Sequence, residues 1–179
     1  MTEVGTVYGQ SLYELAKSEG LTEEIRGQLD VLCQAFRETP EYLRLLANPS
    51  ITKEERCRVL DDGFRGRVHG YVLNFLKILT EKGYIRYFSQ CCDTYTDLYN
   101  QDNGILVVTA VTAVAFSPEQ TEKLTQKLSR ITGKKIDLRS RIDPAVYGGV
   151  RLDYDGQRLD DTVSHRLDAI RDLLNKTVL

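Results

Sequence analysis

The chain has 179 residues, 41% hydrophobic and 28% charged, with a formal net charge of −2. That apolar share supports a folded core and excludes a wholly disordered chain, and the charge excludes a bulk cationic field for nucleic acid. Charge is uneven along the chain: residues 1–104 carry 12 Lys/Arg against 16 Asp/Glu, net −4, and residues 105–179 carry 12 against 10, net +2.

The first hundred residues read as helices. Val4, Val7, Tyr8, Leu12 and Leu15 fall at i, i+3, i+4 spacing, one face of a helix that Gly20 ends. Tyr8 and Tyr13 lie on different faces of that helix, so one of them is expected outside the local core. Gly5 and Gly9 stand one turn apart within it. Glycine there costs ~1 kcal/mol relative to Ala, which is explained either by flexibility or by a neighbouring helix that approaches closely. A second helix starts at Thr22, read as its cap, with Ile25, Leu29, Leu32 and Phe36 as its stripe, and Pro40 stops it. A short helix, Glu41 to Ala47, closes at Asn48-Pro49. Thr52 and Glu55 then form a capping box for a helix that carries Cys57, Val59 and Leu60 toward Phe64.

Val68 to Thr80 is apolar almost all round, with Gly70, Asn74 and Lys77 as its polar arc. A helix with so little polar surface is central in a bundle or faces a partner. Gly83 breaks it, and a last helix runs from about Tyr84 to Asn100, with Ile85, Phe88, Cys92, Tyr95 and Tyr99 on one side. Asp102-Asn103-Gly104 is a turn.

The texture then changes. Ile105 to Ala115 lacks polar alternation and reads as a strand buried on both faces. Ser117, Pro118 and Gln120 cap a helix whose buried stripe is Leu124, Leu128 and Ile131, ended by Gly133. Lys135 to Ile142 and Val150 to Tyr154 alternate as strands, and Asp155-Gly156 turns into a hairpin with Gln157 to Leu159. Val163, Leu167, Ile170, Leu174 and Val178 make a terminal amphipathic helix. The expected fold is α+β in two domains: an all-α six-helix bundle over residues 1–104, then a small α/β domain over 105–179 with a short sheet and a C-terminal helix.

Motifs of chemistry are scarce. There is no GxxxxGK[ST] loop, no GxGxxG after a strand and no GxSxG elbow. His69 and His165 are far apart without a nucleophile beside them, so no triad forms and an enzyme is not expected. The acidic pairs Glu23-Glu24, Glu54-Glu55, Asp61-Asp62 and Asp160-Asp161 read mainly as solvated helix ends. No cofactor and no metal is expected. Cys33, Cys57, Cys91 and Cys92 form no CxxC pair and are read as reduced thiols. Lys134-Lys135 with Arg139 and Arg141 is a basic strip: a solvated strand face or a dock for an acidic partner, with no interleaved aromatic to favour nucleic acid. The start of the chain lacks a basic n-region and an apolar h-region, so no signal peptide is expected. The longest apolar-rich stretch, Gly104 to Phe116, falls short of the ~20 residues of a membrane span.

The run from Ile136 to Asp155 closely resembles the signature of the delta subunit of F-type ATP synthases, whose mitochondrial relative is the oligomycin-sensitivity-conferring protein. Ile142, Asp143, Val146, Gly148, Gly149, Val150 and Leu152 carry that spacing. Tyr8 to Ala16 is similar to the family's opening helix, Asn48-Pro49 with Ile51 and Glu54-Glu55 to a recurring loop–helix junction, and Leu76 to Gly83 to the end of its fifth helix. Gly9 and Ser11 depart from the alanines frequent there. Ile142, Asp143, Gly148, Gly149 and Val150 are read as a folding device: Pro144 turns the chain, and the glycine pair permits positive φ where it re-enters the sheet.

The resemblance implies a non-catalytic stator subunit, one copy per complex, peripheral on the cytoplasmic face of an energy-transducing membrane without inserting into it. It implies two partners, the N-terminal segments of the alpha subunits and the C-terminal ends of the b subunits. The alpha segment is expected in a groove between the first and fifth helices, lined by Tyr8, Ser11, Leu12, Leu15, Leu73, Leu76 and Lys77. The b subunits are expected on Arg139, Arg141 and Arg151, taken to lie on exposed strand faces, with Leu167, Ile170 and Leu174. The alternative is a helical adaptor or regulator outside the ATP synthase. Limited proteolysis is expected to cut first within residues 100–104 and leave a folded helical fragment of the first hundred residues or so; first cleavage inside Val68 to Thr80 contradicts that boundary.

Overall fold

The structure, a computed structural model, describes residues 2–144, 146, 148–154 and 156–160. The expected terminal helix, with Leu167, Ile170 and Leu174, lies outside the described residues. The chain divides into two compact units, residues 1–99 and 100–179.

The helical unit is built from α1 (Glu3–Ser18), α2 (Thr22–Glu38), α3 (Pro40–Ala47), α4 (Lys53–Phe64), α5 (Gly70–Glu81), a 3₁₀ turn (Ile85–Tyr87) and α6 (Phe88–Asp102), which runs on past residue 99. Local chemistry starts several of these. Thr52 accepts from the Glu55 amide while Glu55 reaches back to the Thr52 amide, closing the capping box ahead of α4. His69, expected inside an apolar helix, is instead the N-cap of α5. Its Nδ1 accepts from the Tyr71 amide at 3.2 Å, and its own amide donates to Gln28 Oε1 at 2.7 Å, pinning the α5 entry to α2. Thr22 is not a cap. It is the first residue of α2, behind Leu21, and no side chain caps that helix.

The core of this unit is made by Ile25, Leu29, Leu32 and Phe36 of α2, Leu46 of α3, Leu60 of α4, Val72, Phe75, Leu76 and Leu79 of α5, and Phe88 and Tyr95 of α6. Burying each large apolar side chain contributes about 1.5–3 kcal/mol. Phe36 is a hub, stacking on Tyr42 and meeting Phe64 and Phe88 edge-on at ring centroids of 6.2 and 5.2 Å. Arg56 is buried on α4, where its Nη1 donates to the Leu46 carbonyl at 2.9 Å and so satisfies an acceptor at the end of α3.

Helix α1 turns a different face inward from the one its Val/Leu spacing suggests. Gly5, Gly9, Leu12, Tyr13 and Ala16 are buried, while Val7 is 53% and Leu15 40% exposed. The reason is contact with α6. A Cβ on Gly9 would lie 2.5 Å from the Cys91 carbonyl oxygen and 2.8 Å from Thr94 Cβ, and one on Gly5 would lie 2.8 Å from Gln90 Cβ. Thr2 caps α1 and hydrogen-bonds Gln90 Oε1 through its hydroxyl at 2.6 Å and its amide at 3.0 Å. The glycines therefore answer to close approach, and Tyr13, not Tyr8, is the buried tyrosine.

The second unit holds β1 (Ile105–Thr112), α7 (Pro118–Thr132), β2 (Lys135–Ile142), β3 (Arg151–Tyr154) and β4 (Gln157–Asp160) in one sheet of order β2-β1-β3-β4. β1 and β2 are parallel, in register from Ile105↔Lys135 to Thr112↔Ile142, and α7 is the crossover between them. β3 runs antiparallel to β1, and β4 antiparallel to β3. Ser117 and Gln120 close a capping box on α7, and Gly133 ends it at φ +68°. β1 is not buried on both faces along its length: Leu106, Val108 and Ala110 are buried, and their odd-numbered neighbours up to Thr109 are half-exposed. No residue of α7 is fully buried. Leu124 and Leu128 are half-buried and Ile131 is 72% exposed, so that stripe is less covered than its spacing suggests.

Gly9→Ala is expected to lower the Tm of the helical unit although alanine is the better helix former, because a contact of 2.5 Å to backbone must be relieved. Overpacking of this kind costs about 1–3 kcal/mol. Thermal unfolding by circular dichroism checks it, and an unchanged or raised Tm refutes the close-approach account.

Candidate functional site

Two surfaces stand out, one on each unit. On the helical unit, the residues proposed for a groove separate into floor and rim. Leu12 and Leu76 are buried, Leu76 completely. Neither can serve as an exposed wall, because each fills the core beneath. Tyr8 and Leu73 are half-buried, Ser11 and Leu15 are exposed, and Ile78 is also open. The Ser11 hydroxyl donates to the Val7 carbonyl at 2.8 Å. Tyr8 meets Tyr84, just beyond α5, edge-on with ring centroids 5.8 Å apart. Lys77 is not a free cation: its Nζ lies 2.7 Å from Asp61 Oδ1, an oxygen Arg65 also reaches at 3.1 Å. The bond from Lys77, then that from Arg65, holds the Asp61 carboxyl below the usual carboxylate range. The open members of this set are thus mostly apolar, and its one lysine is neutralised.

The second surface is the sheet face that carries the odd-numbered residues of β1, β2 and β3 and the even-numbered residues of β4. Register places Arg139, Thr109, Asp153 and Arg158 in one row across the four strands, and Arg141, Val111, Arg151 and Asp160 in the next. Asp153 is the focus. Arg158 Nε lies 2.9 Å from one of its oxygens, and Arg151 Nε and Arg141 Nη2 lie 3.6 and 3.9 Å from the other. Arg139 pairs with Asp137 on its own strand at 3.2 Å. The side chains of Arg139 and Arg141 are open, but that of Arg151 is only 17% exposed and its buried Nε makes no hydrogen bond. So Arg151 is not the freely exposed residue that alternation suggests. It sits beside the buried Val111, and its stem covers apolar surface. Arg158 joins this face although motif reading passed over it; the hairpin pairing Asp153↔Arg158 was the signal.

The signature residues build the corner between β2 and β3. Ile142 ends β2, largely exposed. The Asp143 amide donates to the Thr112 carbonyl at 2.9 Å, and the Val146 amide to the Asp143 carbonyl at 3.0 Å. Gly148 and Gly149 have φ of +118° and +85°, which side-chain-bearing residues rarely adopt, and half-buried Val150 leads into β3. The corner returns the chain to β1, not to its own edge strand β2.

An open cleft of about 350 Å³ near the ends of α4 and α5 is lined by Lys53, Glu54, Cys57, Glu81 and Lys82. Burial, then the charge of Glu81, raises the Cys57 thiol, which leaves it a poor nucleophile. Among the described residues no group of three or more His, Cys, Asp or Glu could hold a metal ion, and no helix is long and apolar enough to cross a membrane.

The chain is mostly helical with a small four-stranded sheet, and it carries open apolar side chains on α1 and α5 and a guanidinium-rich sheet face. Comparison with known proteins gives the family. The profile for the ATP synthase delta (OSCP) subunit matches residues 4–174. ATP synthase subunit delta of Alkaliphilus oremlandii is 30% identical over 96% of both chains. That of Gloeobacter violaceus is 29% identical over 92% of this chain and 90% of its own, and the chloroplastic subunit of Ochrosphaera neapolitana is 27% identical over 97% and 98%. A chain in the cryo-EM structure of the Toxoplasma gondii mitochondrial ATP synthase hexamer shares the fold, with a TM-score of 0.76 at 21% identity over 97% of this chain and 98% of that one. This chain belongs to the ATP synthase delta (OSCP) subunit family, and is thereby a subunit of a membrane-associated complex.

The floor and rim differ in what their loss costs. Leu76→Ala is expected to destabilise the helical unit by about 2–5 kcal/mol, and half-buried Leu73→Ala by about 1 kcal/mol or less. Urea unfolding of both variants checks this, and equal costs would refute the division.

Proposed function

We propose that this chain is the non-catalytic peripheral-stalk subunit of an F-type ATP synthase, holding the catalytic head still against the rotor on the cytoplasmic side of the membrane. The observation that carries this is the family match over residues 4–174, which spans both units. The task is a persistent grip with no chemical step. The helical unit receives the N-terminal segments of the alpha subunits. An amphipathic segment lies on the rim formed by Tyr8, Ser11, Leu15, Leu73 and Lys77, above a floor containing Leu12 and Leu76, the helix-in-groove mode of recognition. What supports this is that α1 and α5 each carry open apolar side chains, Leu15 and Ile78 among them, and that the charge of Lys77 is balanced by Asp61.

The second unit holds the C-terminal ends of the b subunits through Arg139, Arg141 and Arg151, joined by Arg158, and through the sequence stripe Leu167, Ile170 and Leu174. Carboxylates on a b segment can compete with Asp153 for its three guanidiniums. Two modest grips on one chain add through effective concentration. One copy serves each complex, without a cofactor.

Co-purification separates this reading from a free adaptor. The chain should leave detergent-free membrane washes together with alpha, beta and b subunits; recovery without them overturns the assignment. At the level of surfaces, Leu15→Asp should keep the helical content and Tm, and Leu73→Asp should keep the helical content with a modest fall in Tm, yet each should bind an alpha N-terminal peptide about tenfold more weakly or worse, whereas Leu76→Asp should unfold. Arg139→Glu with Arg141→Glu, or truncation from Ser164, should weaken b binding and leave alpha-peptide binding intact. Unchanged b affinity in both removes the second surface.

A further inference from the structure

Three of the four cysteines meet in the helical unit. α2 and α6 run antiparallel: Phe36 meets Phe88 with ring centroids 5.2 Å apart, and toward the other end the Arg26 guanidinium lies 4.6 Å from the centroid of the Tyr99 ring. At the very start of α2 the Thr22 carbonyl accepts from the Tyr95 hydroxyl at 2.9 Å. As numbers rise along α2 they fall along α6; Cys33 follows Arg26 by seven residues and Cys92 precedes Tyr99 by seven, so the Phe36–Phe88 and Arg26–Tyr99 contacts set Cys33 level with Cys92. There the two thiols are close enough to perturb one another's acidity. Cys33 is half-buried and reachable, Cys92 is 5% exposed, and both are free thiols.

We propose that Cys33 and Cys92 form a site of reversible oxidation, at which a peroxide links α2 to α6 by a disulfide. The roles follow from position. Cys33 is the attacking thiol: it is the reachable one of the pair, and the neighbouring Cys92 thiol and Arg37 favour its thiolate, against burial, Asp93 and Asp30. Burial raises the thiols of Cys91, to about 11, and of Cys57, so neither competes as first nucleophile. The Cys33 thiolate attacks one peroxide oxygen and the O–O bond breaks. Cys33 becomes a sulfenic acid, and the departing hydroxide takes a proton to become water. The Cys92 sulfur then attacks the Cys33 sulfur. The S–S bond forms, the S–O bond breaks, and hydroxide leaves with the Cys92 proton as a second water. Two thiols have given up two electrons, and the peroxide has become two waters. A bridge between neighbouring Cys91 and Cys92 would need their backbone to leave its helical form, whereas Cys33 and Cys92 stand level on neighbouring helices. The cross-link closes a loop containing α3, α4 and α5, so it constrains the unfolded chain and stiffens the whole helical unit.

The test uses the full chain and hydrogen peroxide in the absence of reductant. Free thiols are then alkylated, and non-reduced peptides are mapped by mass spectrometry. The expected product is intramolecular, lighter by two hydrogens, with a Cys33–Cys92 linked peptide. Its Tm should rise by about 10 °C, reversed by dithiothreitol. Cys33→Ser and Cys92→Ser should each abolish both changes, and Cys33→Ala, at a half-buried position, serves should a buried serine impair folding. A Cys91–Cys92 linked peptide, dimers joined through Cys57, or sulfinic acid at Cys33 without a cross-link would each overturn the proposal.

Discussion

The helical unit depends on the absence of two side chains. Gly5 and Gly9 let α1 and α6 come together until backbone meets backbone, where an added Cβ would sit 2.5 Å from a carbonyl oxygen. That approach decides which way α1 faces. With the glycine side turned to α6, Leu12, Tyr13 and Ala16 follow into the core, and Val7 and Leu15 turn outward. The open apolar side chains of α1 are therefore a by-product of close packing on its other side. A larger residue at position 9 would separate the helices and disturb the contacts that α6 makes with α2, since Phe88 and Tyr95 belong to that same core.

How much of this was legible in the sequence divides along a physical line. Features fixed by neighbours in the chain were readable: the Thr52 and Ser117 capping boxes, the stop at Gly133, the span of β2, the turn at Gly156, and the positive φ of Gly148 and Gly149. The stripe of α2 was readable too, because one uninterrupted apolar row leaves no choice of face. Features fixed by partners distant in the chain were not. α1 has two candidate faces, and only α6 chooses between them. α5 is apolar nearly all round, so its pattern could not tell buried Leu76 from half-exposed Leu73. On β2 and β3 alternation gave the faces of the arginines, but pairing across β1 set Arg151 against Val111 and left it mostly covered.

The two proposed surfaces use different physics. The rim on α1 and α5 offers non-directional burial, and the Asp61–Lys77 pair spares a docking segment the cost of desolvating a lone charge. The sheet face offers directional donors already engaged with one carboxylate. Exposed pairs such as Arg158–Asp153 contribute about 0–1 kcal/mol, so exchanging Asp153 for a partner's carboxylate costs little, and such exchange weakens as salt rises. A grip on the first surface would tolerate ionic strength, and a grip on the second would follow it.

The parallel pairing of β1 with β2 has a mechanical consequence. The chain enters the second unit along β1, which is held by β2 over its eight residues on one side and by β3 near its far end on the other. Tension applied at Ile105 along the strand runs across these hydrogen bonds, not down them. The ladder is loaded in shear, so many bonds must fail together, whereas a hairpin pulled open at its ends yields one bond at a time. Strand order thus makes the entry point of the chain the strongest line through the sheet, and leaves the short hairpin of β3 and β4 as the part that would peel first.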